Sequence, residues 1–139
     1  MPSPPIPSSL GVTSRMRRQA RQDTTPELEL RRLLHAKGLR YRVGMKVPGM
    51  PRRTIDIAFT AVSVAVFVDG CFWHGCPEHA TWPTANSEWW RSKIMRNQAR
   101  DTETTNHLMA NGWFVHRMWE HESFVATADI VFEIVAQRR

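Results

Sequence analysis

The sequence predicts a small α/β domain with a mixed central β-sheet and helices packed on it. The chain has 139 residues, which is the size of one ordinary domain and leaves no room for a second core. The order of its periodic segments is helix, three extended segments, long helix, further strand and last helix. Apolar residues make up 42% and charged residues 23% of the chain, which is typical of a globular protein.

The N-terminal region divides into two parts of different composition. Residues 1–12 carry four of the nine prolines together with Ser and Gly, so we expect a disordered tail. Residues 13–24 are basic and weakly patterned, with Met16 as their only large apolar side chain. This segment is expected to be a short helix or an arm that orders on a phosphate backbone. Residues 13–139 are then expected to form one domain.

The first helix is predicted from Pro26 to about Lys37. Thr25 can cap it, Pro26 suits its first turn and Gly38 ends it. Its inward side chains are expected to be leucines, namely Leu28, Leu30, Leu33 and Leu34.

Three extended segments follow this helix. The first is 39–47 and is ended by the Pro/Gly-rich turn 48–51. The second, 53–60, alternates and sets Asp56 on the face opposite to Ile55, Ile57 and Phe59. The third, 62–69, is nearly all apolar and β-branched, which predicts a central strand covered on both faces.

The C-terminal half begins with an irregular segment at 70–86. A long helix is predicted from about Ser87 to Ala110, capped by Asn86 or Ser87 and closed by Asn111-Gly112. A further strand at 113–119 and a last helix at 123–137 complete the domain.

Charge restricts the classes of function. Lys plus Arg number 19 against 13 Asp plus Glu, a net charge of +6, and the sequence pI is about 10.3. A domain this basic usually meets a polyanion, and its preference for Arg over Lys favours contacts with nucleic acid. A basic surface without a partner is the alternative. Because no apolar run spans a bilayer and the N-terminus lacks a signal-type apolar stretch, we expect a cytoplasmic protein.

The densest polar segment is CFWHGCPEH at 71–79. Cys71, Cys76 and His79 are spaced like zinc ligands, and His121 could complete a tetrahedral set. With four protein ligands the zinc would be structural and His74 would remain outside it. The alternative is that the two cysteines pack as small apolar residues and the histidines are solvated.

Three carboxylates are candidates for a second metal site. Asp56 lies on a strand, Asp69 ends the next strand and Glu27 opens the first helix. Brought together they would repel one another unless a divalent cation lay among them, and Mg²⁺ held by carboxylates and phosphate oxygens is usual in phosphodiester hydrolysis. A solvated Asp56 on an exposed strand face is the alternative.

Asp101 in the long helix is a candidate partner for His74. The carboxylate could hold the imidazole in one tautomer and so form a general-base dyad. Ion pairing along its own helix is the alternative for Asp101.

Several motifs together resemble very-short-patch repair (Vsr-type) DNA mismatch endonucleases. The resemblance covers residues 13–122, and the FWHGCP block is its most specific part. The motifs are TPE at 25–27, RTIDI at 53–57, VFVDGCFWHGCP at 66–77, EWW at 88–90, Lys93-Ile94, Asn97, Arg100-Asp101, Gly112-Trp113 and WEH at 119–121.

The resemblance implies a restriction-endonuclease-like core, a catalytic Mg²⁺ and a structural zinc. Asp56 would hold Mg²⁺ with the main-chain carbonyl of Val68, and Glu27 would act through metal-bound water. His74 would be the general base and Asp101 its orienting partner. The Glu-x-Lys of related nucleases is absent, with His74 in place of the lysine, and the role of Asp69, ligand or structural, stays open.

The remaining implied roles concern zinc and DNA. Cys71, Cys76 and His121 match zinc-ligand positions, and His79 matches less directly. Phe72 and Trp73 would intercalate beside the mismatch, while Met16 would enter from the opposite groove.

The implied function is Mg²⁺-dependent nicking of one DNA strand 5′ to the thymine of a T·G mismatch, by a monomer that could work with other repair proteins. One alternative is a related nuclease with a broader range of mismatches or structures. The other is a non-catalytic zinc-stabilised DNA-binding module, in which the acids are surface charges.

Overall fold

A computed structural model describes residues 25–70 and 87–139. The predictions for the tail, for Met16 and its arm, and for the segment that holds Cys71, Phe72, Trp73, His74, Cys76 and His79 therefore lie outside the described residues. The elements are α1 (Thr25–Ala36), β1 (Arg42–Val47), β2 (Met50–Phe59), β3 (Val64–Asp69), α2 (Ser87–Ala110), β4 (Phe114–Trp119) and α3 (Phe124–Arg138).

The four strands form one mixed sheet in the order β1-β2-β3-β4. β1 pairs with β2 and β2 with β3 in antiparallel fashion, whereas β3 and β4 are parallel. Parallel neighbours need a long crossover connection, and the chain between β3 and β4 contains α2. The predicted α/β class with a mixed sheet and flanking helices is confirmed.

Two hydrophobic clusters cover the two faces of the sheet. In one, α1 and α3 pack on the sheet through buried residues such as Leu34 and Val131. In the other, Leu108 of α2 packs against Ala65 and Phe67 of β3. The sheet is therefore a middle layer, and the prediction that the 62–69 segment is covered on both faces is confirmed.

The 24-residue helix α2 begins and ends where the sequence predicts. It buries Ile94, Thr104 and Leu108 and carries charged residues elsewhere along its length. Within residues 25–70 and 87–139, no helix combines the length and apolar character needed to cross a membrane.

The second strand differs from its prediction at both its start and its packing. It begins at Met50 because the turn consists of Pro48 and Gly49 alone, and Gly49 has a φ of 85°. Ile57 and Phe59 lie in the α1/α3 cluster, whereas Ile55 lies in the α2 cluster. Ile55 and Ile57 are only two positions apart yet contact different layers, so the prediction that Ile55, Ile57 and Phe59 share one face is wrong.

Candidate active site

Strands β2 and β3 stop pairing beside Asp56. Their ladder runs from Phe59 opposite Val64 to Ile57 opposite Val66. Beyond it, the backbone N–H of Val68 donates a hydrogen bond to Asp56 Oδ2 at 2.8 Å. A side-chain carboxylate thus binds a backbone donor where the regular ladder has ended, and this contact fixes Asp56 at the point where the two strands separate.

Glu27 and Asp69 are the other two members of what we call the carboxylate cluster (Glu27, Asp56 and Asp69). Glu27 is 2% exposed and lies in the first turn of α1, where the helix dipole favours negative charge. It lies on the same helix face as Leu30 and Leu34, which are both fully buried. Asp69 is the last residue of β3 and is 7% exposed.

The electrostatics of the cluster are visible at Asp56. Its pKa is raised from 3.8 to about 7, chiefly by burial and in addition by the charges of Glu27 and Asp69, while the Val68 hydrogen bond and Arg117 act in the lowering direction. The three predicted carboxylates therefore lie close enough to act on one another. Ionising Asp56 is costly in this surrounding, and a cation beside it would offset that cost.

Arg117 on β4 joins this cluster to α2. Its Nη1 lies 2.9 Å from Asp69 Oδ1 and 3.2 Å from Oδ2. Its Nη2 donates to the carbonyl oxygen of Asp101 at 3.2 Å, and its Nε donates to Thr105 Oγ1 at 2.8 Å. Its guanidinium carbon lies 4.1 Å from the ring centroid of Phe67. One side chain thereby links β4 with β3 and α2.

Sequence reasoning missed Arg117. A single arginine in a strand has no spacing that marks it, and the motifs drew attention to the acids. The signal that was available is a charged residue inside the apolar strand WFVHRMW, because a charge in a covered strand requires partners.

Asp101 faces the sheet from α2. Its Oδ1 lies 3.9 Å from Arg117 Nη1, so the ion pair crosses from one element to another. Its predicted partner His74 lies outside the described residues, and the dyad stays a prediction.

His121 follows β4 at the same edge of the sheet where β3 ends. The parallel register sets Asp69 opposite Trp119, and Glu120 N–H donates to the carbonyl oxygen of Asp69 at 2.9 Å. Asp69, the last residue of β3, therefore lies beside the turn that contains His121. The other three predicted zinc ligands lie outside the described residues.

Within the described ranges, no group of three or more His, Cys, Asp or Glu side chains is arranged so that it could hold a metal ion. Mg²⁺ does not require one, because it is usually bound through one or two carboxylates together with substrate phosphates and water.

Comparison with known proteins identifies the family. The model for the family "DNA mismatch endonuclease Vsr" matches residues 12–79. Type II nicking enzyme V.NaeI of Lentzea aerocolonigenes is 44% identical over 124 residues, which cover 85% of this chain and 72% of that protein. Type II nicking enzyme V.XorIIP of Xanthomonas oryzae pv. oryzae is 39% identical over 104 residues, 73% of each chain.

DNA mismatch endonuclease Vsr of Escherichia coli is 34% identical over 110 residues, which cover 76% of this chain and 66% of that protein. These relatives are DNA endonucleases by name, and the resemblance that the sequence motifs indicate is confirmed. The chain belongs to the Vsr family of DNA endonucleases.

Proposed function

We propose that this Vsr-family endonuclease is Mg²⁺-dependent and nicks one DNA strand 5′ to the thymine of a T·G mismatch, as in very-short-patch repair. The observation that carries the proposal is Asp56, held by the Val68 N–H at the point where β2 and β3 separate, with Glu27 and Asp69 close by. A relative named as a mismatch endonuclease supports the substrate class.

The donor set fits Mg²⁺. Carboxylate and main-chain carbonyl oxygens are the protein ligands that this hard cation accepts. The raised pKa of Asp56 reflects first its burial and then the nearby charges of Glu27 and Asp69, and a divalent cation beside it would favour the ionised carboxylate. Asp56 and the carbonyl of Val68 would hold the ion, with Glu27 beside them, and the ion would stabilise the charge that develops on the scissile phosphate.

The other catalytic tasks belong to side chains of the chain itself. His74 would accept a proton from the attacking water, and Asp101 would hold its imidazole in the required tautomer. The contact between the Asp101 carbonyl and Arg117 supports this role, because it fixes the backbone of Asp101 against the sheet.

Zinc and the DNA wedge complete the proposal. Cys71, Cys76, His79 and His121 would bind one structural zinc. Phe72 and Trp73, with Met16 from the opposite groove, would insert beside the mismatch. The enzyme would act as a monomer on bacterial DNA in the cytoplasm.

The test is nicking of a panel of labelled duplexes that carry every mismatch in several sequence contexts, in Mg²⁺ and in EDTA. We expect the T·G duplex to be nicked 5′ to thymine in Mg²⁺ only. Asp56→Asn should abolish nicking while DNA affinity is kept or increased, because a negative charge near phosphate is removed. The matched control is Asp129→Asn, an exposed acid on α3 whose ion pair is with Lys37.

Each failure points to one alternative. Nicking by Asp56→Asn within about tenfold of wild type would contradict the role of Asp56. Equal nicking of several mismatches would favour a broader substrate range. Binding of DNA without cleavage in Mg²⁺ would favour a non-catalytic module.

A further inference from the structure

The two aspartates of the carboxylate cluster have different hydrogen-bond partners. Both oxygens of Asp69 lie within 3.2 Å of Arg117 Nη1. The corresponding side-chain oxygen of Asp56, Oδ2, accepts instead from a backbone N–H, which carries no formal charge. The charge of Asp69 is therefore balanced by a cation of the protein, and that of Asp56 is not balanced in the same way.

Arg117 also determines where α2 lies relative to the sheet. Its Nη2 and Nε bind Asp101 and Thr105, which are one helical turn apart, while its guanidinium carbon lies over the ring of Phe67 of β3. The planar guanidinium can reach three partners in fixed directions, which the single ammonium of a lysine cannot do. Its side chain is 22% exposed, so these contacts are only weakly screened by solvent.

We propose that Arg117 is a positioning residue with two roles. Its ion pair with Asp69 keeps that carboxylate from binding the metal, so that Asp56 binds the divalent cation. Its hydrogen bonds hold the Asp101 turn of α2 in place, which we call the clamp. The inference rests on the proposed function and answers the open question about Asp69. Arg117 itself touches neither metal nor DNA in this scheme.

The affinity for a divalent cation, measured without DNA, tests whether Arg117 keeps Asp69 from binding the metal. Loss of the Arg117 charge releases a carboxylate beside the cation site, so Arg117→Gln should tighten Mn²⁺ binding by about threefold or more. Asp69→Asn leaves the positive charge of Arg117 without its carboxylate partner and should weaken Mn²⁺ binding. Arg117→Gln with Asp69→Asn changes no net charge, so affinity should return to within about threefold of wild type.

The measurement is the dissociation constant of Mn²⁺ at pH 8, read from the electron paramagnetic resonance signal of the free ion. If Asp69 is a metal ligand, the double variant binds Mn²⁺ at least about tenfold more weakly than wild type, and the proposal is wrong. An unchanged affinity in Arg117→Gln overturns it as well. Arg117→Lys, which keeps the charge, should bind Mn²⁺ like wild type and is the control. Arg117→Met, which also removes the charge, replaces the Gln variant if that variant does not fold.

Nicking kinetics test whether Arg117 holds the Asp101 turn of α2 in place. Arg117→Lys should lower kcat on the T·G duplex by about tenfold with little change in KM, because the lysine cannot hold Asp101 and Thr105 together. The control is Arg53→Lys, since Arg53 of β2 also bonds α2, at Thr104 Oγ1 (3.2 Å) and the Arg100 carbonyl (3.4 Å). An equal loss of kcat in Arg53→Lys, or no loss in Arg117→Lys, would overturn the clamp.

The proposed function and the role of Arg117 are distinguished by different outcomes. Mn²⁺ binding that follows the expected order, in a wild type that nicks no duplex, overturns the proposed function alone. Absence of Mn²⁺ binding to wild type overturns both.

Discussion

The ionised form of Asp56 destabilises the folded protein because its carboxylate is desolvated and lies near Glu27 and Asp69. Its pKa is about 7 in the folded protein, against 3.8 for an unperturbed Asp. Between these values the folded state keeps a proton that the unfolded state has lost. The free energy of unfolding contributed by this group therefore falls as pH rises from about 4 to about 7 and is level above that window.

Asp56→Asn removes this pH-dependent cost and keeps an oxygen that can accept from Val68. In EDTA we expect the variant to have a higher Tm than wild type at pH 8, and the difference should shrink as pH falls toward 4. Added Mg²⁺ should raise the Tm of wild type but not of the variant. Thermal unfolding across this pH range checks both statements, with Asp129→Asn as the control. A Tm difference that is the same at pH 5 and pH 8 would contradict the assignment.

At the scale of residues, the sequence predicts the three acidic residues of the carboxylate cluster better than it predicts Arg117, the arginine that pairs with Asp69. Asp56, Asp69 and Glu27 can be identified because Asp56 alternates with isoleucines in a strand, Asp69 ends an apolar strand and Glu27 opens a helix, and the motifs reinforce them. Arg117 has no such marker, since its importance arises from contacts with residues 48 positions away at Asp69 and 16 positions away at Asp101. Contacts of that separation depend on the tertiary fold.

At the scale of elements, predictions succeed where capping signals are strong. Helix α2 ends at Ala110, just before Asn111-Gly112, as predicted, and Ser123 caps α3 by accepting from the Ala126 N–H at 3.1 Å. The start of β2 was misplaced because Pro51 suggested a longer turn. In the structure Pro51 belongs to the strand, beside the register shift between Lys46 and Val47, and prolines are tolerated at such irregularities.

The β1–β2 turn contacts the end of α2 through His107. A comparison of Gly49 with Gly112 separates the effect of this contact from that of backbone strain. Gly49 and Gly112 both have a φ of 85°. A Cβ on Gly49 would lie 3.0 Å from His107 Nε2, whereas a Cβ on Gly112 would have nothing within 4 Å. His107 Nε2 itself lies 2.6 Å from the Pro48 carbonyl oxygen. An alanine at 49 must therefore disturb this contact in addition to adopting a positive φ.

Gly49→Ala should consequently lower the free energy of unfolding more than Gly112→Ala does. The backbone strain is about 1–2 kcal/mol in each variant, and the lost His107 contact adds about 1 kcal/mol in the first. Urea denaturation with an unchanged slope provides the comparison. Equal destabilisation by the two alanines would show that the turn is not coupled to α2 through His107.

At the scale of the whole molecule, the proposed zinc would join the segment after β3 to the turn after β4. His121 leaves the sheet beside the end of β3, as the pairing of Asp69 with Trp119 requires. A tetrahedral ion there would fix the edge of the sheet next to the carboxylate cluster. This site would supply stability, because four protein ligands leave no position for substrate.

We expect purified protein to contain about one zinc per chain, and Cys76→Ser to lower both zinc content and Tm. Elemental analysis with thermal unfolding measures the two quantities. His35→Asn, a change at an exposed histidine of α1, is the control and should retain the metal. Soluble and active wild-type protein without zinc would refute the site, and unchanged zinc in His79→Ala would assign that position to another ligand.

Mismatch selectivity is a property of the enzyme and its DNA together. A T·G step is less well stacked than a paired step, so a wedge of Phe72 and Trp73 would enter it at a lower cost in free energy. Base stacking on an aromatic ring is worth about 1–3 kcal/mol, which sets the size of the expected effect.

Trp73→Ala should therefore weaken binding to a T·G duplex by about tenfold more than binding to a fully paired duplex. The dissociation constants are best measured by fluorescence anisotropy in an Asp56→Asn background, where no nicking is expected. Phe114→Ala is the matched control, because this exposed aromatic begins β4 opposite Val64, at the end of the strand remote from Asp69. If Trp73→Ala reduced affinity equally for both duplexes while its fold stayed intact, selectivity would have to arise from contacts other than this wedge.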